Sequence, residues 1–384
     1  MIKAAIVGAG FIGPAHLEAL RRLGDVEVVA LCDRTQAAAE KKAAQLNVAH
    51  AYSDPAALLA HPGLQVVHNC TPNHLHASLN RQIIAAGKHV FSEKPLCMTG
   101  DEARELLALA EAKGVVHGVS FVYRHFAMVQ QAAALVNSGR AGRIFAVHGG
   151  YLQDWMLKQT DYNWRIDPER GGACRTVADI GSHWCDTVQF VTGLKIVEVM
   201  ADFSVVWPVR LAARQRSVSF GAAQGNAEYE EKPVTTEDFA SILLRFADGS
   251  RGNLTVSQVS AGRKNHLSFE LNGSDGSIGW DQEIPQRLWL GYRDRPNGTV
   301  SDDPGLLLPA AAAHVHYPGG HIEGWPDAFK NMLACFYADV KAGKAPAGEA
   351  GYATFREGAQ IMLIVDAMLQ SHREQRWVKV AALT

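Results

Sequence analysis

The sequence predicts an α/β chain in two parts. The first is an N-terminal doubly wound parallel sheet. The second is an α+β region built on a large, open-faced, mainly antiparallel sheet. Three observations carry this. Strand-like and helix-like patterns alternate from residue 2 to residue 122. Gly8, Gly10 and Gly13 fall at GxGxxG spacing between the first apolar strand and the first helix. Beyond residue 143 strand-like segments dominate, with Asp248-Gly249 and Asp275-Gly276 as hairpin turns.

Residues 4–7 are a short apolar run, the pattern of a strand buried on both faces. Residues 15–23 follow as a helix, with Leu17, Leu20 and Leu23 on one side. A second apolar strand at 26–31 leads to Asp33. Residues 36–46 are alanine-rich and helix-forming, and 49–52 read as a short strand. Ser53-Asp54-Pro55 is a helix start with proline near the first helical position. An apolar, β-branched strand at 64–70 ends in Thr71-Pro72-Asn73-His74-Leu75-His76, which opens a helix running to about residue 86. Residues 89–92 form a strand ending in Glu93-Lys94-Pro95, 101–113 a helix and 115–122 a sixth strand. Crossovers in such a sheet are right-handed, and ligands bind at the carboxyl ends of its strands. That gathers the glycine loop, Asp33, 71–76 and 93–95 around one crevice.

The pattern changes near Tyr123-Arg124. A helix at 128–138 and a long strand at 143–153 come first, then a helix at 181–192 ended by Gly193. Strands follow at 195–206, 238–247, 250–259, 266–272, 277–281 and 287–292. Residues 293–325 read as loop, rich in proline, glycine and histidine. Helices at 327–341 and 354–373 and a strand at 377–380 close the chain. The expected domains are 1–123, binding NAD(P), and 124–384, binding substrate and forming the oligomer. The open sheet face needs cover from helices or from another copy of the chain.

A chain of 384 residues with a 47% hydrophobic fraction has enough material for two cored domains. A formal charge of −2 and the lack of any basic run argue against a nucleic-acid surface. No apolar run is long enough to span a membrane. The six scattered cysteines form no CxxC pair, which points to reduced thiols and a cytoplasmic protein. The first strand starts at once, so no signal peptide is expected.

The glycine spacing has a physical reason. Gly8 allows a tight turn, Gly10 lets a pyrophosphate approach the backbone, and Gly13 lets the helix sit close to the strand. The free N–H groups and positive end of that helix then face the phosphates. Asp33, about 20 residues past the last glycine, can accept hydrogen bonds from both ribose hydroxyls, and it repels a 2′-phosphate. NAD is therefore expected over NADP. Arg34 softens the preference, since a guanidinium can hold that phosphate or stack on adenine.

Lys94 at the mouth of the crevice can take part in proton transfer if desolvated; the alternative is an exposed turn lysine. Asp179 and His183 are four residues apart. If a helix starts at Asp179, both lie on one face, and His183 can take a hydroxyl proton at neutral pH. The alternative is a helix cap and a core histidine. Tyr123, Gln153, Asp154, Trp164, Arg165 and His321 are substrate-contact candidates. Aromatic faces beside charged groups suit a sugar ring, but equally an interface loop. The pair His74 and His76, and the set His314, His316, His321 and Glu323, lack zinc spacing, so no metal is expected.

Taken together these stretches resemble the glucose–fructose oxidoreductase / inositol dehydrogenase / rhizopine-catabolism (Gfo/Idh/MocA) family. The matching pieces are Gly8 to Gly13 with Asp33, then Thr71-Pro72-Asn73-His74-Leu75-His76, then Glu93-Lys94-Pro95. Gly171-Gly172 and Asp179-Ile180-Gly181-Ser182-His183-Trp184-Cys185-Asp186 follow in family order. The resemblance implies a Rossmann domain followed by an open-faced sheet domain that shapes the substrate site and often the oligomer interface. It also implies Lys94, Asp179 and His183 as the catalytic set. Gly8, Gly10, Phe11, Ile12, Gly13, Asp33, Arg34, Thr71, Asn73, His76, Glu93, Lys94 and Pro95 are implied at the cofactor. Many members carry a third glycine where this chain has Ala173, which bears on the shape of that loop. Residues 163–168 and 317–324 resemble a branch that includes levoglucosan dehydrogenase and other sugar dehydrogenases.

The expected activity is reversible, NAD(P)-dependent oxidation of a secondary alcohol on a sugar, anhydrosugar or cyclic polyol. His183 removes the proton, Lys94 steadies the oxygen and Asp179 tunes the pair. Lys94 and His183 can titrate as a unit, so the proton carrier stays open. Three alternatives are a glycoside hydrolase using tightly bound NAD as an internal redox cofactor, a non-catalytic NAD-binding regulator, and a biliverdin-reductase-like enzyme. The last wants a flatter, more apolar site. A homo-oligomer, dimer or tetramer, is expected from the large exposed sheet.

Overall fold

A computed structural model describes residues 1–214, 228–345 and 350–383. The chain forms two compact units. One holds residues 1–125 and 325–362, the other residues 126–324 and 363–384.

The first unit carries six parallel strands: β1 (Ile2–Val7), β2 (Val26–Cys32), β3 (His50–Tyr52), β4 (Val66–Asn69), β5 (His89–Ser92) and β6 (His117–Val119). Their spatial order is β3-β2-β1-β4-β5-β6. The order reverses between β1 and β4, which opens a crevice there. The last four residues of β1 and all of β4 are buried without alternation, as covering on both faces requires. The interleaved helices are α1 (Ile12–Leu23), α2 (Gln36–Leu46), α3 (Pro55–Leu59), α4 (Asn73–Ala85) and α5 (Gly100–Lys113). Thr35, Asp54 and Thr99 cap α2, α3 and α5 through their side-chain oxygens, and Pro55 opens α3 as its fixed φ favours.

The second unit opens with α6 (Ala127–Asn137), β7 (Ile144–Leu152), α7 (Pro168–Gly171) and α8 (Ser182–Thr192). Strands β8 (Ile196–Ser204), β9 (Val209–Ala213), β10 (Tyr229–Pro233), β11 (Phe239–Phe246), β12 (Arg251–Ser257), β13 (His266–Gly273), β14 (Ser277–Asp281), β15 (Arg287–Gly291) and β16 (Gly298–Ser301) follow. After the short α9 (Pro309–Ala312), helix α10 (Trp325–Ala342) lies in the first unit. Helix α11 (Phe355–Glu374) begins in the first unit and ends in the second, which also holds β17 (Val378–Lys379).

Nine of these strands form one sheet in the order β16-β15-β14-β13-β7-β12-β11-β8-β17. Only the β7–β12 pair in it is parallel. Helix α8 has ten of its eleven residues buried. Its hydroxyls turn inward to their own backbone: Ser182 Oγ donates to the Ala178 carbonyl at 2.7 Å and Thr187 Oγ1 to the His183 carbonyl at 2.8 Å.

Two departures from the sequence expectations concern weakly patterned segments. The β9–β10 hairpin was not expected; β10 is mostly exposed and polar, without an apolar alternation to mark it. The stretch 293–325, expected as loop, contains β16 and α9, both too short to show a period.

Candidate active site

The glycine turn sits between β1 and α1, at the reversal of strand order. Gly8 has φ +95°, and a Cβ there would lie 2.5 Å from the Cys70 carbonyl oxygen. A Cβ on Gly13 would lie 2.4 Å from the Gly8 carbonyl oxygen. A Cβ on Gly10 would meet nothing within 4 Å. Gly8 and Gly13 therefore close the turn, and Gly10 leaves its outer side open. Phe11 at the helix start is 66% exposed and makes no side-chain cap, and the first turn of α1 holds no acid. This is the geometry of an anion site on backbone N–H groups.

The contrast is testable. Gly13→Ala should lower stability by about 1–3 kcal/mol, because backbone must move to admit the methyl. Gly10→Ala should leave thermal unfolding near the parent's and weaken NAD binding by about tenfold or more. Calorimetry on both variants checks it.

Asp33 follows β2, with its backbone N–H on the Tyr52 carbonyl at 3.1 Å. Its Oδ1 accepts the Arg34 N–H at 2.7 Å, and the Arg34 side chain is three-quarters exposed. Burial, then the charges of Asp33 and Asp54, push the neighbouring Cys32 thiol up to about 11.

The ends of β4 and β5 are tied together by buried amides. Asn69 Nδ2 donates to Asn80 Oδ1 at 2.8 Å, and Asn80 Nδ2 to Ser92 Oγ at 3.0 Å. The Thr71 hydroxyl donates to Asn69 Oδ1 at 2.7 Å. His76 is 1% exposed, and its ring nitrogens lie 2.7 Å from the Thr71 and Pro95 carbonyl oxygens. Its ring spans the two loops that flank the crevice. Burial lowers its proton affinity, and the two carbonyls and the Glu93 charge oppose that without reversing it. Asn73 is buried in the first turn of α4, and Lys94 is half-buried after β5. Tyr123 is 3% exposed in a tight 3-10 turn at Val122–His125.

In the second unit the helix expected at 181–192 is observed as α8, and Asp179 lies in the wider turn that leads into it. Residues Val177–Gly181 form a π-turn, with the Ser182 N–H on the Val177 carbonyl, and α8 starts at Ser182. No side chain caps α8. Such wide turns stand frequently at functional positions. The Asp179 carboxylate instead accepts Gln258 Nε2 at 2.9 Å and lies 3.7 Å from Arg165 Nε. Arg165 in turn stacks on Trp164 at 4.6 Å. His183, 7% exposed, has the Tyr151 ring 6.2 Å away. Tyr151 Oη donates to Asn265 Oδ1 at 2.6 Å, which also accepts Gln153 Nε2 at 2.9 Å.

The structure thus gathers two sets: Trp164, Arg165 and Asp179 with Gln258, and His183 with Tyr151. Tyr151, Gln258 and Asn265 were not anticipated. The alternation of Tyr151 and Gln153 along β7 was the available signal. Asp154 accepts Lys264 Nζ at 2.7 Å and the Gly262 N–H at 3.1 Å. The Lys264 bond holds its carboxyl below the usual range. His321 lies in an exposed loop with Nδ1 3.0 Å from the Pro318 carbonyl. Glu323 Oε1 accepts the His316 N–H at 2.6 Å, which orders that loop. Ala173, in place of a third glycine, is exposed and asks nothing of the loop.

A doubly wound sheet, an open glycine turn under a helix start and an acid after β2 define an NAD-binding oxidoreductase. The description "oxidoreductase family, NAD-binding Rossmann fold" matches residues 2–121, and "GFO/IDH/MocA C-terminal domain" matches 129–279. The chain belongs to the GFO/IDH/MocA family and is an NAD-dependent oxidoreductase.

Levoglucosan dehydrogenase of Pseudarthrobacter phenanthrenivorans is 28% identical, over 100% of this chain and 99% of that protein. D-glucoside 3-dehydrogenase of Escherichia coli is 30% identical, over 65% of this chain and 68% of its own length. Among solved structures, levoglucosan dehydrogenase in complex with NADH and L-sorbose superposes with a TM-score of 0.89 at 26% identity, covering 100% of both chains. An inositol dehydrogenase homolog complexed with NAD+ from Azotobacter vinelandii gives 0.86 at 26% identity, covering 98% of this chain and 97% of that one. Among the described residues no helix is long and apolar enough to cross a membrane.

Proposed function

We propose that the protein reversibly oxidises a secondary alcohol of a sugar, anhydrosugar or cyclic polyol. The carrying observation is the second unit's cluster, in which Asp179 is held by Arg165 and Gln258 beside a stacked tryptophan, with His183 buried one turn on. Hydrogen-bonding groups against aromatic faces match a polyhydroxylated ring. The relatives named as sugar dehydrogenases support the same substrate class.

The glycine turn, the start of α1 and Asp33 hold the cofactor's phosphates and ribose, and the loops at 71–76 and 93–95 flank its nicotinamide end. When bound, NAD supplies the hydride acceptor. His183 takes the hydroxyl proton. Lys94 hydrogen-bonds the alcohol oxygen and steadies its developing charge. Asp179 sets the orientation and charge of that pair. Tyr123, Gln153, Trp164 and Arg165 contact the ring. Residues 1–123 serve as the cofactor domain with the α10 return, and the rest as the substrate and oligomer domain. On the nine-stranded sheet Phe145, Val197, Leu243 and Trp289 are exposed, which favours a second copy as cover.

The test is NADH formation by purified protein, with NAD or NADP, against inositols, aldoses, anhydrosugars and glycosides. Reduction with one of these classes supports the reading; glycoside cleavage without NADH release would replace it by the redox hydrolase. Asp33→Ala should lower kcat/KM for NAD by about 10–100-fold, the loss of charge-assisted hydrogen bonds, and raise turnover with NADP. Steady-state kinetics with both cofactors decides.

A further inference from the structure

Four buried side chains behind Lys94 form a hydrogen-bonded chain that the proposed chemistry leaves unused. Tyr337 Oη lies 2.9 Å from His68 Nε2. His68 Nδ1 lies 2.8 Å from His16 Nδ1, and His16 Nε2 lies 3.0 Å from Glu93 Oε1. His16, His68 and Tyr337 are fully buried and Glu93 is 8% exposed. They come from α1, β4, α10 and the end of β5 within the first unit. Helix α10 is fastened beside α1, with Arg22 Nη2 2.6 Å from Asp327 Oδ1 and Phe329 edge-on to His16 at 4.9 Å. That packing brings Tyr337 over His68, ring on ring at 5.9 Å.

The direction of every proton follows from the Tyr337 end. A buried hydroxyl must donate, and His68 is its one hydrogen-bond partner among the described residues. His68 Nε2 is therefore an acceptor, and its proton sits on Nδ1. That proton faces His16 Nδ1, which must accept it. The His16 proton is then on Nε2, pointing at the Glu93 carboxylate. A doubly protonated His16 would reverse the His68 contact and leave the Tyr337 proton without an acceptor.

We propose that His16, His68 and Tyr337 are positioning residues that act through Glu93 on Lys94. Their oriented chain ends on the carboxylate that flanks the lysine. The proposal rests on the role given to Lys94 above. The second Glu93 oxygen accepts the Lys94 backbone N–H at 3.2 Å. Glu93 also faces the Ser120 hydroxyl, the Cys70 thiol and His76, and Tyr337 faces Asp25. Burial works to raise the Glu93 carboxyl, but His16, Lys94 and Ser120 outweigh it and hold it below its ordinary value. Burial keeps His68 and His76 below theirs, so neither offers Glu93 a competing cation, and keeps the Cys70 thiol and Tyr337 hydroxyl above theirs, so neither adds a second negative charge.

Two measurements on the full-length protein test this. Nitrogen-15 NMR of histidine-labelled enzyme should show His16 as the Nε2–H tautomer and His68 as the Nδ1–H tautomer; the opposite pair, or a charged His16, overturns the chain. In the pH profile of kcat/KM, Tyr337→Phe should move the acid limb upward, because a weaker donor lets Glu93 take a proton sooner. His16→Leu should move it further, by about one unit. A purely structural role would lower the melting temperature and leave the limb in place, which overturns the proposal. Full activity in Lys94→Ala would instead sink the reading of Lys94 while leaving the tautomers as stated. Normal loss in Lys94→Ala with unmoved limbs in both chain variants would sink only the positioning role.

Discussion

Lys94→Ala and His183→Ala are each expected to lower kcat by about 10²–10⁴-fold while NAD binding stays close to that of the parent. The reason lies in what each side chain is asked to do. An alcohol gives up its hydride readily only as its O–H proton leaves, so a base and a counter-charge at that oxygen stabilise the same transition state. His183 sits one residue into α8, buried, with Tyr151 beside it. Lys94 stands after β5 on a loop braced by His76. If the two groups act as a unit, as the proposed mechanism requires, the double variant should be little worse than either single one. The pH profiles separate their roles: the variant whose kcat loses a limb other than the one that Tyr337→Phe shifts has lost the proton carrier. Near-normal turnover in either single variant would remove that residue from the mechanism.

Most of the first unit was legible because its rules are local. Strands buried on both faces read as unbroken apolar runs, and Thr35, Asp54-Pro55 and Thr99 mark helix starts by short-range chemistry. Gly8, Gly10 and Gly13 were legible for the same reason, and so were their distinct tasks: Gly8 and Gly13 close the turn and Gly10 leaves it open. The Asp179–His183 spacing was visible, but the π-turn that carries Asp179 into α8 was not, since no residue type encodes an extra turn member. The role of His76 was not legible either: its partners are main-chain carbonyls, which carry no sequence signature. Nor was Tyr337, which belongs to the first unit only because α10 returns to it after the intervening residues 126–324.

The second large effect concerns stability. Asp238→Ala and Arg210→Ala are each expected to destabilise the second unit by about 3–5 kcal/mol, the usual result of stripping one partner from a buried ion pair. Asp238 is fully buried between two guanidiniums that are equally buried. Its Oδ1 takes Arg175 and, at 2.7 Å, Arg210, while Oδ2 accepts the Val206 and Trp207 N–H groups at 2.8 and 3.2 Å. Arg210 goes on to donate to the Met156, Lys158 and Asp161 carbonyls, each at 2.9 Å. The neighbouring Glu237 accepts the Arg175 and Val177 N–H groups, and its own carbonyl takes the Thr176 hydroxyl at 2.7 Å. The cluster therefore anchors both the loop that leads to Trp164 and the turn that presents Asp179. Burial works to raise the Asp238 carboxyl, and the charges of Arg175 and Arg210 outweigh it, so it sits below its ordinary value. A group depressed in the folded state contributes stability that is fully present above its unfolded value and lost as the pH falls through the folded one. Asp238→Asn should accordingly flatten the acid side of the stability curve as well as lower the melting temperature, by roughly 10 °C. Thermal unfolding followed from neutral pH into the acid range reads both effects. Because the same bonds hold the Asp179 turn, a surviving fraction of folded Asp238→Asn should also show reduced kcat. Unchanged unfolding would mean that the two arginines find other acceptors, and unchanged kcat in a destabilised variant would mean that Gln258 and Arg165 alone suffice to hold Asp179.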